Sequence, residues 1–174
     1  SLNNFTQNSI KNVGINLAKL HLITNNYTHQ IKTRFDFDFF DNVIKKYKVY
    51  FLQHDISLID IFKTILHDYK KLNSKDIPKG TIHGDLFPDN VLFNEKNQIT
   101  GFLDFYFSDF NYLISDIAIV IISWCFYLDN NKYILDFDKI NILLKNYSKV
   151  RKIHSNEIDS LKLICKIYCM RFMF

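Results

Sequence analysis

Apolar residues recur every three or four positions through the first 72 residues, the spacing of one buried helix face. The first such segment is SIKNVGINLAKLHLI, whose stripe consists of Ile10, Val13, Leu17 and Leu20. A second segment has as its predicted inward positions Phe40, Val43, Ile44, Tyr47 and Phe51. A third helix is predicted to begin at Ser57, with Asp60 in a capping-box-like position. Its predicted inward positions are Leu58, Ile61, Ile65, Leu66, Tyr69 and Leu72.

The pattern changes after Lys79 and Gly80, where short β-type segments are predicted at 81–83, 91–94 and 99–104. The polar NEKNQ between the last two predicts a hairpin. Helical periodicity then returns over 112–128, over 138–150 with Ile140, Leu143, Leu144 and Tyr147 inward, and from Ser155 onward. This order predicts a mostly helical α+β fold with a small β element in its middle.

Composition restricts the class of protein further. With 174 residues and 48% apolar content, the chain can build one sizeable core, so we expect a single domain or a large piece of one. The formal net charge of +4 is small and dispersed, which argues against a nucleic-acid partner but would suit an anionic small ligand.

Three cysteines, Cys125, Cys165 and Cys169, lie in apolar runs, and this odd number favours a reducing, cytoplasmic location over a disulfide framework. The most apolar run, 113–128, is interrupted by Asp116 and is shorter than the roughly 20 residues of a membrane span. We therefore expect no membrane partner, and the pattern indicates no particular oligomeric state.

Both ends of the chain bear on its domain organisation. It does not begin with methionine, and it stops at MRFMF inside a helical pattern without a stop signal. We therefore expect 1–174 to be one domain that is truncated at both ends.

The segment TIHGDLFPDNVLF contains the candidate chemistry. Asp85 lies five residues before Asn90, in the pattern H-G-D-x-x-x-x-N, and Asp104 ends the second strand of the predicted hairpin. Phosphoryl transfer requires a metal-bound triphosphate and an oriented acceptor hydroxyl, and three hard oxygen donors suit Mg²⁺. We predict that Asp85 orients the hydroxyl and accepts its proton, and that Asn90 and Asp104 bind the metal. Acidic loops are often only turns, but the conjunction of strand, loop, hairpin and final aspartate favours a catalytic site.

These motifs carry a resemblance. IHGDLFPDNVLF followed by GFLDFYF resembles the catalytic and metal-binding loops of the aminoglycoside phosphotransferase and choline kinase-like superfamily, relatives of protein kinases. Within it, LFPDNVLF, LDFYF, SDIAIVIISWCF and CMRF are most similar to the bacterial homoserine kinase family, and QNSIKNVGINLAKLHLIT resembles the helix after its lobe hinge. The resemblance implies the C-terminal lobe of a protein kinase-like fold, with the glycine-rich loop and phosphate-binding lysine in a separate N-terminal lobe.

The resemblance also implies ATP and Mg²⁺ as cofactors and the conversion of L-homoserine to O-phospho-L-homoserine in threonine biosynthesis. Leu92 matches the apolar floor under the adenine, which agrees with its position on the same strand face as Asn90. The alternatives are a kinase of choline, ethanolamine or an aminoglycoside, or a non-catalytic pseudokinase-like binding module. We expect the 174-residue chain by itself to be inactive, since its nucleotide-binding lobe would be missing.

Five further residues are candidates for support or substrate binding. His83 is predicted to be a structural hydrogen-bonding residue. Asp116 matches an aspartate that hydrogen-bonds the catalytic loop from below, although a first-turn acid also suits the helix dipole. Tyr106 and Trp124 are candidate acceptor-pocket residues, with core packing the favoured alternative. Arg171, in an apolar helix, must find an anion or water, so it is a candidate partner for a substrate carboxylate. No metal-ligand spacing is seen for the other histidines, His21, His29, His54, His67 and His154.

Overall fold

The computed structural model describes residues 5–25, 33–54, 56–72 and 76–173. In these ranges lie the helices α1 (Gln7–Thr24), α2 (Phe37–His54), α3 (Ile56–Leu72), α4 (Ile114–Trp124), α5 (Phe137–Ser148) and α6 (Ser155–Arg171). The strands are β1 (Lys79–Ile82), β2 (Val91–Phe93), β3 (Ile99–Phe102), β4 (Asp109–Tyr112), β5 (Phe126–Asp129) and β6 (Lys132–Leu135).

The amphipathic stripes locate most of the helices correctly, but they misplace two inward positions. Tyr47 on α2 and Ile61 on α3 are 39% and 49% exposed. On α3, Ile59 and Phe62 are buried in addition to the correctly predicted Ile65, Leu66 and Leu72, because this helix packs against both α2 and α6. The helix also starts one residue before the predicted Ser57.

The predicted helix over 112–128 is wrong at both ends. Residues 109–112 form β4, and residues 126–135 form the β5–β6 hairpin, whose turn residues Asn130 and Asn131 have φ of 47° and 61°. Paired positive φ values are those of a tight hairpin turn, which asparagine tolerates. Only Ile114–Trp124 is helical, and because nearly all of it is buried, its apolar run has no periodicity that marks its limits.

The strands form three antiparallel pairs. β2 and β3 make the predicted hairpin, with Val91 opposite Phe102, which confirms the interpretation of NEKNQ as a turn. β3 ends at Phe102, before the predicted end at Asp104, because Asp104 has a left-handed φ of 55° that leaves the strand. β1 pairs with β4, so the residues that follow β1 begin beside the residues that precede β4.

The core is built around α4, which packs against α6 and α1, while α1 packs against α5. Within the described segments, no helix is both long and apolar enough to cross a membrane. The thiols of Cys125, Cys165 and Cys169 are free, and Cys169 is exposed.

The contact between α1 and α5 depends on a glycine. A Cβ at Gly14 would lie 2.8 Å from the Leu143 carbonyl oxygen and 3.2 Å from the Tyr147 nitrogen. We predict that Gly14→Ala lowers the free energy of unfolding by about 1–3 kcal/mol, although alanine is the better helix former, because the two backbones must separate. Urea denaturation measures this. The control Lys11→Ala, on the exposed side of the same helix, should change stability by less than about 0.5 kcal/mol.

Candidate active site

The loop that joins β1 to β2 places Asp85 and Asn90 together. After Ile82 the chain turns at Gly84, whose φ is 78° and where a Cβ would lie 2.2 Å from the Phe107 carbonyl oxygen, so only glycine fits. A short 3₁₀ helix at Pro88–Asn90 then returns the chain to the sheet. Asn90 Nδ2 donates to the Asp85 carbonyl oxygen at 2.7 Å and lies 3.4 Å from Asp85 Oδ2. The five-residue spacing therefore brings both side chains to one side of a closed loop.

Asp85 has the properties of a proton acceptor. Its side chain is half-buried, and burial raises the pKa of this carboxyl above its ordinary value. The charges of Arg171 and His83 act in the opposite direction and offset this only in part, while Asp104 and Asp89 raise the pKa further. A carboxylate with a raised pKa accepts a proton more readily than one in open solvent.

Asp104 lies in the turn after β3, beside the loop that holds Asn90. Its Oδ1 accepts from the Tyr106 backbone N–H at 3.2 Å, and the preceding Leu103 N–H donates to the Asn90 carbonyl oxygen at 2.9 Å. Among the described residues, no three His, Cys, Asp or Glu side chains converge as a preformed cation site. The donor set still fits Mg²⁺, which commonly takes one or two side-chain oxygens and completes its shell with phosphates and water. Asn90 and Asp104 would be those ligands.

His83 connects the two loops by hydrogen bonds at both ring nitrogens. It is fully buried, and its Nδ1 accepts from the Asp85 backbone N–H at 3.2 Å. The hydrogen must therefore be on Nε2, which donates to the Leu103 carbonyl oxygen at 2.8 Å. This side chain links the backbone of Asp85 to the residue before Asp104.

Asp116 supports the loop from the first turn of α4. Its Oδ2 accepts from the His83 backbone N–H and its Oδ1 from the Gly84 backbone N–H, both at 2.8 Å. His21 Nε2 donates to Oδ2 at 2.9 Å. Burial alone would raise the pKa of this fully buried carboxyl, but the hydrogen bonds from His21, Gly84 and His83 hold it below its ordinary value.

The support that His21 gives to Asp116 was not predicted from the sequence, because His21 has no metal-ligand spacing to other residues. It lies 95 positions from Asp116, so no local motif joins the two. One signal was available: His21 follows Leu17 by four residues, which puts it on the buried stripe of α1. A buried histidine requires a polar partner.

The structure does not bring Tyr106 or Trp124 into the cavity beside Asp85. Tyr106 is 72% exposed, because the turn after Asp104 directs its ring outward. Trp124 is buried, and its indole Nε1 donates to the Leu86 carbonyl oxygen at 2.9 Å, which supports the catalytic loop from within the core. Leu92 is 45% exposed on the surface of β2, where it is available to a ligand.

Arg171 does lie beside Asp85. Both line a cavity of about 500 Å³, together with Phe35, Phe39, Val43, Lys46, Tyr47, Phe107 and Phe172. The guanidinium of Arg171 stacks on Phe35, with Cζ 3.9 Å from the ring centroid. Its Nη1 donates to the Gly84 carbonyl oxygen. Its side chain is only 8% exposed, and burial lowers its pKa, so this arginine does not extend into solvent.

The carboxylate of Asp116 should dominate the acid sensitivity of the fold. We predict that Asp116→Asn, which turns one acceptor into a donor facing an N–H, lowers the free energy of unfolding by about 2–4 kcal/mol at neutral pH. The pKa of Asp116 is lower in the folded than in the unfolded state. The stability that its carboxylate contributes is therefore fully present above the unfolded carboxyl pKa of about 3.9, and it is lost as the pH falls through the folded pKa.

Urea denaturation between pH 7 and pH 2 tests this prediction. The difference between wild type and Asp116→Asn should shrink toward the acid end of the series. The control Asp68→Asn removes an exposed carboxylate that lies 3.3 Å from Lys71 Nζ, and it should change stability by less than about 0.5 kcal/mol. A difference that is independent of pH would contradict the role of the ionised carboxylate.

Comparison with known proteins bears directly on this arrangement. Residues 4–138 match the model of a family described as the phosphotransferase enzyme family. The homoserine kinase of Rhizobium meliloti is 42% identical over 98 residues, which are 56% of this chain and 29% of that protein. The homoserine kinase of Paramagnetospirillum magneticum is 38% identical over 104 residues, or 57% of this chain and 31% of that protein.

Solved structures agree on the fold. A mutant aminoglycoside 2′-phosphotransferase in complex with GDP superposes with a TM-score of 0.68 at 14% identity, over 98% of this chain and 56% of the other. A choline kinase from Streptococcus pneumoniae gives a TM-score of 0.61 at 16% identity, over 96% of this chain and 56% of the other. At such identities these structures show the fold alone, and they confirm the predicted mostly helical α+β lobe.

The matched segment thus spans less than a third of the curated relatives, and the chain spans slightly more than half of the superposed structures. The family match itself covers most of the chain, and it includes the loop of Asp85, the turn of Asp104 and the support from Asp116. On this evidence the chain belongs to the phosphotransferase enzyme family.

Proposed function

We propose that the protein that carries this chain transfers the terminal phosphoryl group of ATP to the hydroxyl of a small molecule. One observation carries the proposal: Asp85 and Asn90 share a closed loop, and His83 and the Asn90 carbonyl tether that loop to the turn that bears Asp104. A half-buried carboxylate beside two further oxygen donors is what this chemistry requires.

The proposed roles follow from the position of each side chain. Asp85 orients the acceptor hydroxyl and accepts its proton. Asn90 and Asp104 would hold Mg²⁺, which when bound neutralises phosphate charge and orients the transferred group. The exposed Leu92 offers an apolar surface to the adenine. We further propose that 1–174 is the C-terminal lobe of the enzyme and that a separate lobe supplies the remaining phosphate contacts.

The proposed acceptor is L-homoserine, and the product O-phospho-L-homoserine would place the enzyme in threonine biosynthesis in the cytoplasm. The homoserine kinases that match about half of the chain support this proposal. A second, independent support is the cavity beside Asp85. The Arg171 guanidinium donates to the Gly84 carbonyl oxygen, and its side chain lines this cavity beside Asp85. A largely buried cation that lines a cavity favours an anionic ligand such as a substrate carboxylate.

A cationic acceptor such as choline is the runner-up. The cavity contains two cationic side chains, Arg171 and Lys46, and Asp85 is the one acid among its described lining residues. This charge balance opposes a quaternary ammonium or polyamine ligand and favours a carboxylate. The intact Asp85, Asn90 and Asp104 argue against the pseudokinase-like alternative.

Two substitutions separate the proposed base from the proposed metal ligands. In the full-length protein, Asp85→Asn keeps the shape of the loop, so Mg·ATP should bind nearly normally while kcat falls by roughly 10²- to 10⁴-fold. Asp104→Ala should instead weaken nucleotide binding and turnover together, because the carboxylate that fixes the metal is lost. Calorimetry beside steady-state kinetics measures both. Loss of nucleotide binding in Asp85→Asn alone would reverse the two roles.

The acceptor can be tested with a matched pair of substrates. We predict that the full-length protein prefers L-homoserine to choline and to kanamycin in kcat/KM. Arg171→Met should lower kcat/KM for L-homoserine by roughly 10- to 100-fold, the range of a lost charged hydrogen bond. For 3-aminopropan-1-ol, which is homoserine without its carboxylate, wild type and Arg171→Met should be nearly equal. Equal losses on both substrates would show that Arg171 only supports Gly84.

A further inference from the structure

A buried series of polar side chains runs from the turn between α5 and α6 to the catalytic loop. It consists of Glu157, Arg151, Tyr147 and His21, here called the Tyr147 network. Arg151 donates from Nη1 to Glu157 Oε1 at 3.0 Å and from Nη2 to Glu157 Oε2 at 3.3 Å. Arg151 Nη1 also lies 3.2 Å from the Tyr147 hydroxyl, which in turn lies 2.6 Å from His21 Nδ1. His21 Nε2 then reaches Asp116.

Every hydrogen in this network has one consistent direction. The Tyr147 oxygen accepts from Arg151, which is always a donor, so the tyrosine O–H is free to donate to His21 Nδ1. That bond leaves the imidazole hydrogen on Nε2, where it donates to the Asp116 carboxylate. The opposite arrangement, with a hydrogen on Nδ1, would leave the tyrosine O–H without an acceptor among the described residues. Tyr147 thus selects the form of His21 that Asp116 needs.

The network is anchored at its outer end and largely buried along its length. The side chain of Glu157 is fully buried and that of Arg151 is 11% exposed, and Glu157 Oε2 also accepts from the His154 backbone N–H at 3.0 Å. Tyr147 and His21 are buried as well. A buried polar group that loses its hydrogen-bond partner destabilises the folded state. A change at one member should therefore displace the next member.

Both ends of helix α6 therefore act on Gly84, one on each of the two peptides that flank it. At its C-terminal end, Arg171 donates to the Gly84 carbonyl oxygen. At its N-terminal end, Glu157 begins the Tyr147 network, which reaches the Asp116 carboxylate that accepts from the Gly84 N–H. Gly84 immediately precedes Asp85, so the orientation of these two peptides determines where the Asp85 carboxylate points.

We propose that Tyr147 and Arg151 are positioning residues of the catalytic loop. They contact no reacting atom. They hold the His21 ring with its Nε2 hydrogen toward Asp116, and Asp116 in turn holds the His83 and Gly84 peptides that place Asp85. The effect on turnover rests on the proposed function, whereas the effect on the geometry of the loop does not.

Nitrogen-15 NMR of the full-length protein tests the geometry. In the wild type, the His21 ring should show a hydrogen on Nε2 and none on Nδ1, and the Gly84 and His83 amide protons should resonate far downfield because they bond a carboxylate. In Tyr147→Phe, the Nδ1 partner is lost, so the His21 form should become mixed and both amide protons should move upfield. The control Tyr69→Phe removes a hydroxyl that lies 3.5 Å from the Phe35 carbonyl oxygen outside the network, and it should leave these signals unchanged.

Kinetics on the same variants tests the consequence. Tyr147→Phe should lower kcat by roughly 10-fold or more with little change in KM for ATP, because Asp85 is displaced while the ligands stay bound. Arg151→Met, at the outer end of the network, should shift the His21 signals in the same direction. This variant provides the test if Tyr147→Phe does not fold. Variants that unfold more easily but keep wild-type His21 and Gly84 signals would overturn the proposal. Shifted signals in a protein that phosphorylates nothing would uphold the positioning and refute the proposed function.

Discussion

The structure depends above all on one buried carboxylate. Asp116 accepts from the backbone N–H groups of His83 and Gly84 and from the ring of His21, so elements β1, α1 and α4 meet at two oxygen atoms. These two N–H groups follow β1, where the chain leaves the sheet and loses its ladder partners. A neutral acceptor at this point would be weaker, because hydrogen bonds to a charged group are about twice as strong. The cost of burying the charge is offset by three donors.

Gly84 connects the Asp116 carboxylate to Asp85, the next residue in the chain. Its left-handed φ and the nearby Phe107 carbonyl exclude any side chain. The peptide before Gly84 is held by Asp116 through its N–H, and the peptide after it is held by Arg171 through its carbonyl oxygen. Because the peptides on both sides of Gly84 are each fixed by a hydrogen bond, this residue cannot change its backbone angles freely, and Asp85 is held between the core and the open cavity. Partial burial there raises the pKa of Asp85, while the neighbouring cationic side chain keeps the cavity attractive to anions.

Membership of the phosphotransferase enzyme family and the arrangement of the loop both support the proposed phosphoryl transfer. Different residues account for different parts of that function. In the proposed function, the oxygen donors of Asp85, Asn90 and Asp104 act on the transferred phosphoryl group. The cavity with Arg171 is the proposed acceptor site, since one fold can serve different substrates through different lining residues. The Tyr147 network belongs to neither group, since it acts on the loop through His21 and Asp116.

The sequence by itself determined the parts that depend on neighbours along the chain. The stripes of α1 and α5, the start of α6, the hairpin around NEKNQ, and the closed loop from Asp85 to Asn90 are local, because periodicity, turn residues and short spacing specify them. Only the tertiary structure decided the pairs that are far apart in sequence, namely His21 with Asp116 across 95 positions and Arg171 with Gly84 across 87. It also decided that Trp124 supports Leu86, that Tyr112 belongs to a strand paired with β1, and that 126–128 form a strand, where an apolar run alone suggested helix from 112 to 128. The physical reason is the same in each case: a polar group or a strand edge finds its partner only when packing brings distant segments together, and no spacing within one segment encodes that partner.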